Sequence, residues 1–549
     1  MILASQEMIK EWTENGAWGT KTLIDYYKEN VGKNPDMVCI VDPYNKEDLL
    51  GLKPERLTYR EFDRAADATA EKLVAMGIRK DDIIVVQLPN CWELAMLYVA
   101  ITRAGGLISP IPMQWRASEF EYIAGLTEAW AFITVEEFRG FRHKEMGEKL
   151  KSRLPFLQRI LTYPEIREMS RGDVTGRLDD IPLDANDIFT LCWTSGTEAR
   201  PKGCPISHNN WIIKTSMQAG TIGLSSQDTF LTAGPLVNMA SVGTIFVPWL
   251  ILGNKMVLHH PFNPTLLIEQ FMKEKVTYTL LVPAVVNMLL KHPQVDEFDL
   301  SSIRMISIGG APPSLWSVRE MKRRWGIDFC NVWGQNESAG FYAGPYDVPD
   351  IEKRIDHLPQ WGKPGTEWRS PEAKYFRTKI LDRDTGKELT EVGSIGELWY
   401  RSPGIIPCYF RNPEATAKAF DSGGFFNTGD LFQIKEGNCV GFFDRTKDII
   451  IRGGFNISAQ EVENTILGHP KVLEAAAIAI PDENLGERTC VFLVPREGET
   501  ITLGEITSFM KEQGIAAYKL PERMEIIDVI PRNPVGKVLK NVLREKIAL

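Results

Sequence analysis

Four short segments of this 549-residue chain group residue types that chemistry could use. Thr194 to Gly203 reads TSGTEARPKG, with three small hydroxyl residues, two glycines and Lys202 inside ten positions. Backbone N–H groups in such a loop can turn toward a phosphate, hydroxyls add donors, and the lysine adds a point charge. It is not the GxxxxGK[ST] loop, since no glycine precedes Lys202 and no Ser or Thr follows it. Asn331 to Glu337, NVWGQNE, sets an aromatic face beside a glycine, room for a purine, and follows them with Glu337, a carboxylate able to hold Mg²⁺. Asn427 to Asp430, NTGD, with Arg445 further on, offers a carboxylate and a guanidinium suited to ribose hydroxyls. Pro531 to Lys540, PRNPVGKVLK, places Lys537 in a Gly/Pro-bounded turn from which it could swing into another domain's cleft. Each segment alone also reads as an ordinary polar loop, capped turn or basic tail.

The elements that must position these segments alternate between strand and helix. Phe62 to Met76 has apolar residues at helical spacing and stops at Gly77. Ile83 to Leu88 is a β-branched run closed by Pro89-Asn90, a buried strand. Cys91 to Ala104 reads as a helix ending at Gly105-Gly106. Ile188 to Trp193 is a strand, followed by the Gly/Pro-rich loop and a helix from about Asn209. Tyr278 to Val282 is a strand leading through Pro283 into a helix, and Arg304 to Ile308 is a strand broken at Gly309-Gly310. This alternation predicts an α/β protein with largely parallel sheets, whose ligands lie beyond the carboxyl ends of the strands. After about residue 370 the texture changes, and Gly396 to Tyr400 suggests antiparallel β structure. Asp444 to Asp448 reads as a charged, exposed turn, and about a hundred residues beyond it suffice for a small second domain.

Composition narrows the field. Apolar residues are 44% and charged residues 25%, the balance of a globular protein of about three or four structural units. Lys and Arg number 63 against 72 Asp and Glu, a net charge of −9, which argues against a general nucleic-acid binder. The start, MILASQEMIKEWTENG, lacks the apolar stretch of a signal peptide. The most apolar window, Ala240 to Gly253, is too short to span a bilayer and contains Pro248, so it predicts a core segment. Eight scattered cysteines without a CxxC pair predict reduced thiols in a cytoplasmic protein, and the seven histidines show no zinc-site spacing. No internal repeat is present.

In this order the four segments resemble the adenylate-forming superfamily, which holds acyl- and aryl-CoA synthetases, peptide-synthetase adenylation domains and beetle luciferases. The likeness runs from LTYREF (57–62) and LPNCWE (88–93) through the 194–203 loop, SIGGAPP (307–313), NVWGQNE, GSIGELWYRSPG (393–404), NTGD and DRTKDIIIRGGFNISAQEVE (444–463) to the terminal NPVGK. It implies an α/β fold in two parts. Residues 1–446 would form a large N-terminal adenylation domain of parallel-rich α/β sheets with a β-rich subdomain. Residues 447–549 would form a small, mobile α+β C-terminal domain hinged at Lys447. The resemblance implies that Thr194, Ser195, Gly196, Thr197 and Lys202 wrap the ATP phosphates. Gly310, Ala311 and Pro312 would line the adenine, with Trp333 stacking where Tyr is usual. Gly334, Gln335 and Asn336 would complete the nucleotide site. Glu337, with Thr197, would hold Mg²⁺, Asp430 and Arg445 would bind ribose, and Lys537 would be the mobile catalytic lysine, acting with Glu337 and Lys202. Two further departures stand out: Glu198-Ala199 replaces the usual Thr-Gly, and Asn336 replaces the usual Thr.

The implied reaction joins a carboxylate to AMP with release of pyrophosphate, then passes the acyl group to the thiol of coenzyme A with release of AMP. Rotation about Lys447 would withdraw Lys537 and bring Gly453 and Gly454 over the site as a passage for the pantetheine arm. The acid pocket would be lined by Met217, Asn238, Met239, Ala240, Gly309 and Val332, with Gly334. This set is apolar and neutral and has no Asp near Asn238 for an ammonium. An uncharged aromatic, alicyclic or medium-chain acid is therefore favoured over an amino acid. His208 reads as a cap or packing residue and not a base. Because the chain stops soon after Lys537, free CoA is the expected acceptor. A stand-alone enzyme feeding a carrier protein is the alternative, and a non-catalytic nucleotide binder or a luciferase-type oxygenase is further off. Expected partners are a small carboxylic acid, ATP and CoA, with no nucleic acid and no integral membrane segment; a homo-oligomer is left open.

Overall fold

Three sheets carry the larger part of the chain and a fourth the remainder. The computed structural model describes residues 1–549 other than 177, 179, 180, 195–199, 454, 534–536 and 549. The β-branched runs expected to be buried strands form the interiors of two parallel-rich sheets. One has the order Arg159–Thr162, Ala131–Thr134, Ile83–Gln87, Leu107–Pro110, Ile188–Trp193, Gly203–Ser207, parallel up to the last strand, which is antiparallel. The other runs Ser338–Ala343, Asp328–Gln335, Met305–Gly309, Tyr278–Leu281, Thr229–Thr232, Lys255–Leu258, Val38–Val41, Arg56–Thr58, with antiparallel strands only at its two edges. Every residue of Ile83–Gln87 and Ile188–Trp193 is buried, as strands covered on both faces must be. The Gly203–Ser207 strand, expected as part of a loop, is an edge strand; only there is the missing N–H of Pro205 tolerated.

The expected helices form at Tyr59–Ala75, Trp92–Arg103, His208–Ile222 and Pro283–Leu290. The first starts earlier than Phe62 because Thr58 and Glu61 close a capping box around its N-terminus. The apolar window near 240–253 is a π-helical turn, Val242–Phe246, running into the helix Val247–Leu252. Trp249 is fully buried there and stacks on Tyr59 at 6.1 Å. Among the described residues no helix is long and apolar enough to cross a membrane, and no cysteine is in a disulfide; seven of the eight are buried.

A wholly antiparallel sheet follows, in the order Leu358–Pro359, Cys439–Arg445, Phe426–Lys435, Ile395–Arg401, Arg377–Leu381, Glu388–Leu389. From residue 450 strands pair only with one another: Phe455–Ile457, Ile450–Arg452, Gly486–Pro495 and Val472–Asp482, with Arg523–Ile526 beside Gly486–Pro495. The strand register therefore breaks at the 446–448 turn that holds Lys447. The expectation of a wholly exposed charged turn at 444–448 is corrected. Asp444 and Asp448 are buried, because they receive groups from the following domain. Ser458 Oγ donates to Asp444 at 3.0 Å and to the Phe443 carbonyl at 2.8 Å, while Arg544 pairs with Asp448 at 3.0 Å.

The hairpin 328–343 is packed backbone to backbone. A Cβ placed on Gly340 would lie 2.1 Å from the carbonyl oxygen of Trp333, closer than any side chain can come. Gly340→Ala should lower unfolding stability by about 1–3 kcal/mol, read from a denaturant melt, because the two strands must part to admit a methyl group.

Candidate active site

The 194–202 loop springs from a two-stranded stem. Trp193 and Gly203 are register partners, the Thr194 N–H donates to the Lys202 carbonyl at 3.0 Å, and the Lys202 N–H returns a bond to Thr194 Oγ1 at 3.0 Å. Thr194 and Lys202 thus stand at the two ends of the stem. Ser195, Gly196, Thr197, Glu198 and Ala199 lie outside the described residues. The segment after Ile395–Arg401 docks on the same stem, the Phe410 N–H donating to the Gly203 carbonyl. This brings in Tyr409, which the sequence did not single out.

Tyr409 links two of the expected residues. The Lys202 ammonium donates to the Tyr409 hydroxyl at 2.9 Å, and that hydroxyl donates to Glu337 Oε1 at 2.8 Å. Burial, then the charge of Glu337, holds the Tyr409 hydroxyl far above its ordinary pKa, so it stays a donor. Glu337 sits buried in the tight turn between Asp328–Gln335 and Ser338–Ala343, and the Ile406 N–H anchors its carbonyl at 2.9 Å. Its Oε2 accepts no hydrogen bond among the described residues, so one carboxylate oxygen is left for a cation. No cluster of three or more metal-ligating side chains occurs among the described residues. Thr197, the other expected ligand, lies outside the described residues.

A second constellation centres on Asp430. Asp430 and Arg445 are register partners on adjacent antiparallel strands. Asp430 Oδ2 accepts from Trp333 Nε1 at 2.8 Å and Gln335 Nε2 at 3.1 Å, and Arg445 Nε lies 3.9 Å from Oδ1. Burial pushes the Asp430 carboxyl up, while Arg445 and Trp333 pull it back down. Gln335 also donates to the Thr428 carbonyl at 2.7 Å, tying the 328–335 strand to the NTGD turn. Trp333, expected to be a stacking surface, is nearly buried and packs edge-on against Phe432 at 5.2 Å. The structure gives it the additional task of orienting Asp430.

Asn336 keeps the bonding capacity expected of it. Its Nδ2 donates to the Trp193 carbonyl at 2.8 Å, and its Oδ1 accepts from the Met239 N–H at 3.0 Å. It therefore joins the stem of the 194–202 loop to the 238–241 segment. Gly310 takes φ of +84° just after the strand Met305–Gly309, a conformation that favours glycine, and Ala311 and Pro312 beside it are half-buried. Gly309 pairs with Val332 across parallel strands. Gly334 is exposed beside them.

Lys537 comes from the second domain. Asn533 closes its loop, accepting from the Lys537 N–H at 2.8 Å on Oδ1 and donating its own N–H to the Lys537 carbonyl at 2.8 Å. Burial, then the neighbouring Arg445, pushes the Lys537 ammonium down to about 7, against the opposing pull of Asp430 and Asp448. Lys537 thus lies within the field of the Asp430–Arg445 pair. The Gly453 turn, φ +55°, donates its N–H to the Leu485 carbonyl within the second domain; Gly454 lies outside the described residues. Among the described contacts none links Gly453 to Glu337 or Asp430.

Of the expected pocket residues, Met217 is fully buried, Asn238 caps the short helix Met239–Ser241 by accepting from the Ser241 N–H at 3.4 Å, Met239 is buried and Ala240 is exposed. One buried charge, Lys214, lies close to this expected set without having been included in it. It lies on the same helix as Met217, three residues earlier, and is buried. Its signal in the sequence was a lone lysine inside WIIKTSM. His208 is fully buried, accepts the Leu23 N–H at 3.1 Å on Nδ1, and is pushed down to about 4 by burial, so it packs and does not act as a base near neutral pH.

The chain as a whole has counterparts in known proteins. The family model for AMP-binding enzymes matches residues 27–410, and that for the AMP-binding enzyme C-terminal domain matches residues 461–537. The 2,3-dihydroxybenzoate-AMP ligase of Bacillus subtilis (strain 168) is 31% identical over 548 residues, covering 99% of this chain and 96% of the relative. The medium-chain fatty-acid–CoA ligase of Escherichia coli (strain K12) is 30% identical over 549 residues, covering 98% and 92%. The crystal structure of ATP-bound MatB from Rhodopseudomonas palustris superposes with a TM-score of 0.81 at 25% identity, covering 96% of this chain and 99% of that one. With both family models matched in order and the two constellations in place, the chain belongs to the AMP-binding enzymes, in the acyl- and aryl-CoA synthetase branch of the adenylate-forming superfamily.

Proposed function

We propose that this protein is a carboxylate–CoA ligase. It activates an aromatic, alicyclic or medium-chain organic acid without an amino group as the acyl-adenylate, releases pyrophosphate, and transfers the acyl group to coenzyme A with release of AMP. The observation that carries this reading is the meeting of cations and carboxylates from both domains. Lys202, Tyr409 and Glu337 form one hydrogen-bonded chain; Trp333 and Gln335 donate to Asp430, which Arg445 flanks at 3.9 Å; and Lys537 lies within the field of that pair.

Attack of a carboxylate oxygen on the α-phosphorus of ATP brings two anions together, so the barrier is largely electrostatic. Lys202, at the mouth of the phosphate stem, would take phosphate oxygens, with Tyr409 fixing its direction. Asp430 would accept the ribose hydroxyls, held in place by Trp333 and Gln335, and Arg445 would donate beside it. Lys537 would bring a positive charge to the transferring phosphorus. Glu337 would hold Mg²⁺, whose chemistry is to neutralise the polyphosphate and polarise the phosphorus–oxygen bonds. No side-chain nucleophile is needed. The turn at Lys447, where the strand register breaks, would let the small domain withdraw Lys537 and present the Gly453 turn for the thiol step.

The relative that is a fatty-acid–CoA ligase favours CoA as the acceptor. The relative named for an aryl-AMP product keeps a second acceptor, the pantetheine arm of a carrier protein, in play. Incubation with acid, ATP and either free CoA or a phosphopantetheinylated carrier separates the two. A CoA thioester with release of AMP is expected; thioester only on the carrier would overturn the CoA assignment. ADP as product would remove the adenylation reading altogether.

Three outcomes follow for the adenylating half-reaction. Lys537→Ala should slow pyrophosphate exchange by about 10²–10³-fold. It should leave thioester formation from supplied acyl-adenylate near the wild-type rate, and equal loss of both would contradict the role. Because the Lys537 ammonium sits at about 7 in the free protein, kcat/KM for ATP should fall as pH rises through that value. Lys537→Arg, which cannot lose its proton, should be slower but lack this limb. Tyr409→Phe should lower kcat/KM for ATP about ten- to a hundredfold by cutting the link between Lys202 and Glu337.

A further inference from the structure

Lys214 is a buried cation with no counterion among the described residues. It lies on the helix His208–Ile222 with 2% of its surface exposed. Its Nζ has no hydrogen-bond acceptor among the described residues, and no carboxylate acts on it. Burial alone pushes the ammonium down to about 7. An ammonium out of water without a partner is costly, and proteins retain one where something else supplies the acceptor.

Its surroundings border the residues expected to line the acid pocket. A Cβ on Gly243 would lie 2.7 Å from Nζ, so the ammonium rests directly against that glycine. Gly243 belongs to the π-helical turn that continues Asn238–Ser241, and such turns are rare and concentrated at functional sites. On another side the Tyr342 ring centroid is 5.7 Å from Nζ. Tyr342 is the register partner of Val332. Lys214, three residues before Met217 on its own helix, is thus flanked by the π-helical turn that follows Asn238 and Met239 and by the strand paired with that of Val332. One helical turn along, Gln218 donates to Tyr278 Oη at 2.7 Å and to the Thr244 carbonyl at 3.0 Å, while its Oε1 is buried with no donor. A bare cation and a bare carbonyl oxygen, four residues apart on one helix face, can together serve a group that both accepts and donates.

We propose that Lys214 is the specificity-determining residue of the acid pocket. It receives an oxygen substituent of the acid, a hydroxyl or phenolate or a second carboxylate, at the end remote from the carboxylate that is adenylated. A hydroxyl would also donate to Gln218 Oε1. The proposal rests on the adenylating function above and narrows its substrate class to oxygen-substituted acids.

The test uses the full-length enzyme in pyrophosphate exchange with matched acids. Suitable sets are benzoate, 3- and 4-hydroxybenzoate and isophthalate; cyclohexanecarboxylate and its 4-hydroxy derivative; and hexanoate and adipate. In at least one set the wild type should prefer an oxygen-bearing member over the unsubstituted acid by tenfold or more in kcat/KM. The hydroxyl and dicarboxylate arms tell which oxygen is taken. Lys214→Met should reduce that ratio at least tenfold, mainly through KM for the oxygen-bearing acid. With its unpaired cation removed, the unliganded variant should melt no lower than wild type, which also checks its folding. Preference for the unsubstituted member of every set overturns the proposal, whether or not the variant folds, and leaves the adenylating function standing. So does a folded Lys214→Met that keeps the wild-type ratio. Exchange with no acid at all removes both.

Discussion

A carboxylate taken out of water is costly unless donors surround it, and Asp430 is the place where this constraint organises the molecule. Its position is fixed from three directions. The 328–335 strand supplies Trp333 and Gln335, the antiparallel sheet supplies Asp430 itself and Arg445 across the register, and the second domain supplies the field of Lys537. Each of these elements belongs to a different part of the fold. Without Asp430, Trp333 would hold a buried N–H with nothing to receive it, and Arg445 would lose the opposite charge that draws it inward. The carboxylate is thus the pin at which sheet, hairpin and second domain meet, and on the proposed function it is a binding group as well.

The second chain of bonds, from Lys202 through Tyr409 to Glu337, solves a related problem with the opposite sign. On the proposed function, a lysine at the mouth of a phosphate loop is useful only if it does not collapse onto a neighbouring carboxylate. Tyr409 stands between Lys202 and Glu337 and takes one bond from the first while giving one to the second. The two charges stay coupled but apart, so that each retains capacity for substrate: the ammonium its other protons, the carboxylate its second oxygen. Preorganised charges of this kind need little rearrangement when charge develops on the reacting groups, which is the source of most electrostatic catalysis.

Much of this was readable in the sequence because it depends on local chemistry. The strand Ile188–Trp193 needs only its β-branched and aromatic run, and the helix Tyr59–Ala75 only its spacing and the Thr58/Glu61 box. Gly310 could be expected because a left-handed turn after a strand selects glycine. What escaped was contact between distant segments. Pro205 reads as a loop residue until Gly203–Ser207 is known to be an edge strand. Tyr409 carries no motif, and its role arises only because Phe410 docks its N–H on Gly203, two hundred residues earlier. Asp444 and Asp448 looked solvated because their partners, Ser458 and Arg544, lie in the next domain. Burial of a charge is a tertiary fact, and a one-dimensional pattern cannot carry it.

Lys537 and Lys214 show what that tertiary information adds. Both are lysines pushed down to about 7, in a protein whose net charge is −9, so neither lacks potential carboxylate partners elsewhere in the chain. The fold withholds those partners at these two places. Lys537 is crowded by Arg445 and only partly balanced by Asp430, while Lys214 is balanced by nothing among the described residues. An isolated cation destabilises the empty protein, and the same free energy returns as affinity when an anion or an oxygen acceptor arrives. On the proposed function, phosphate would answer the first lysine and the far end of the acid the second. Both substrates would then be recognised by one physical device, an unsatisfied positive charge held where water cannot relieve it.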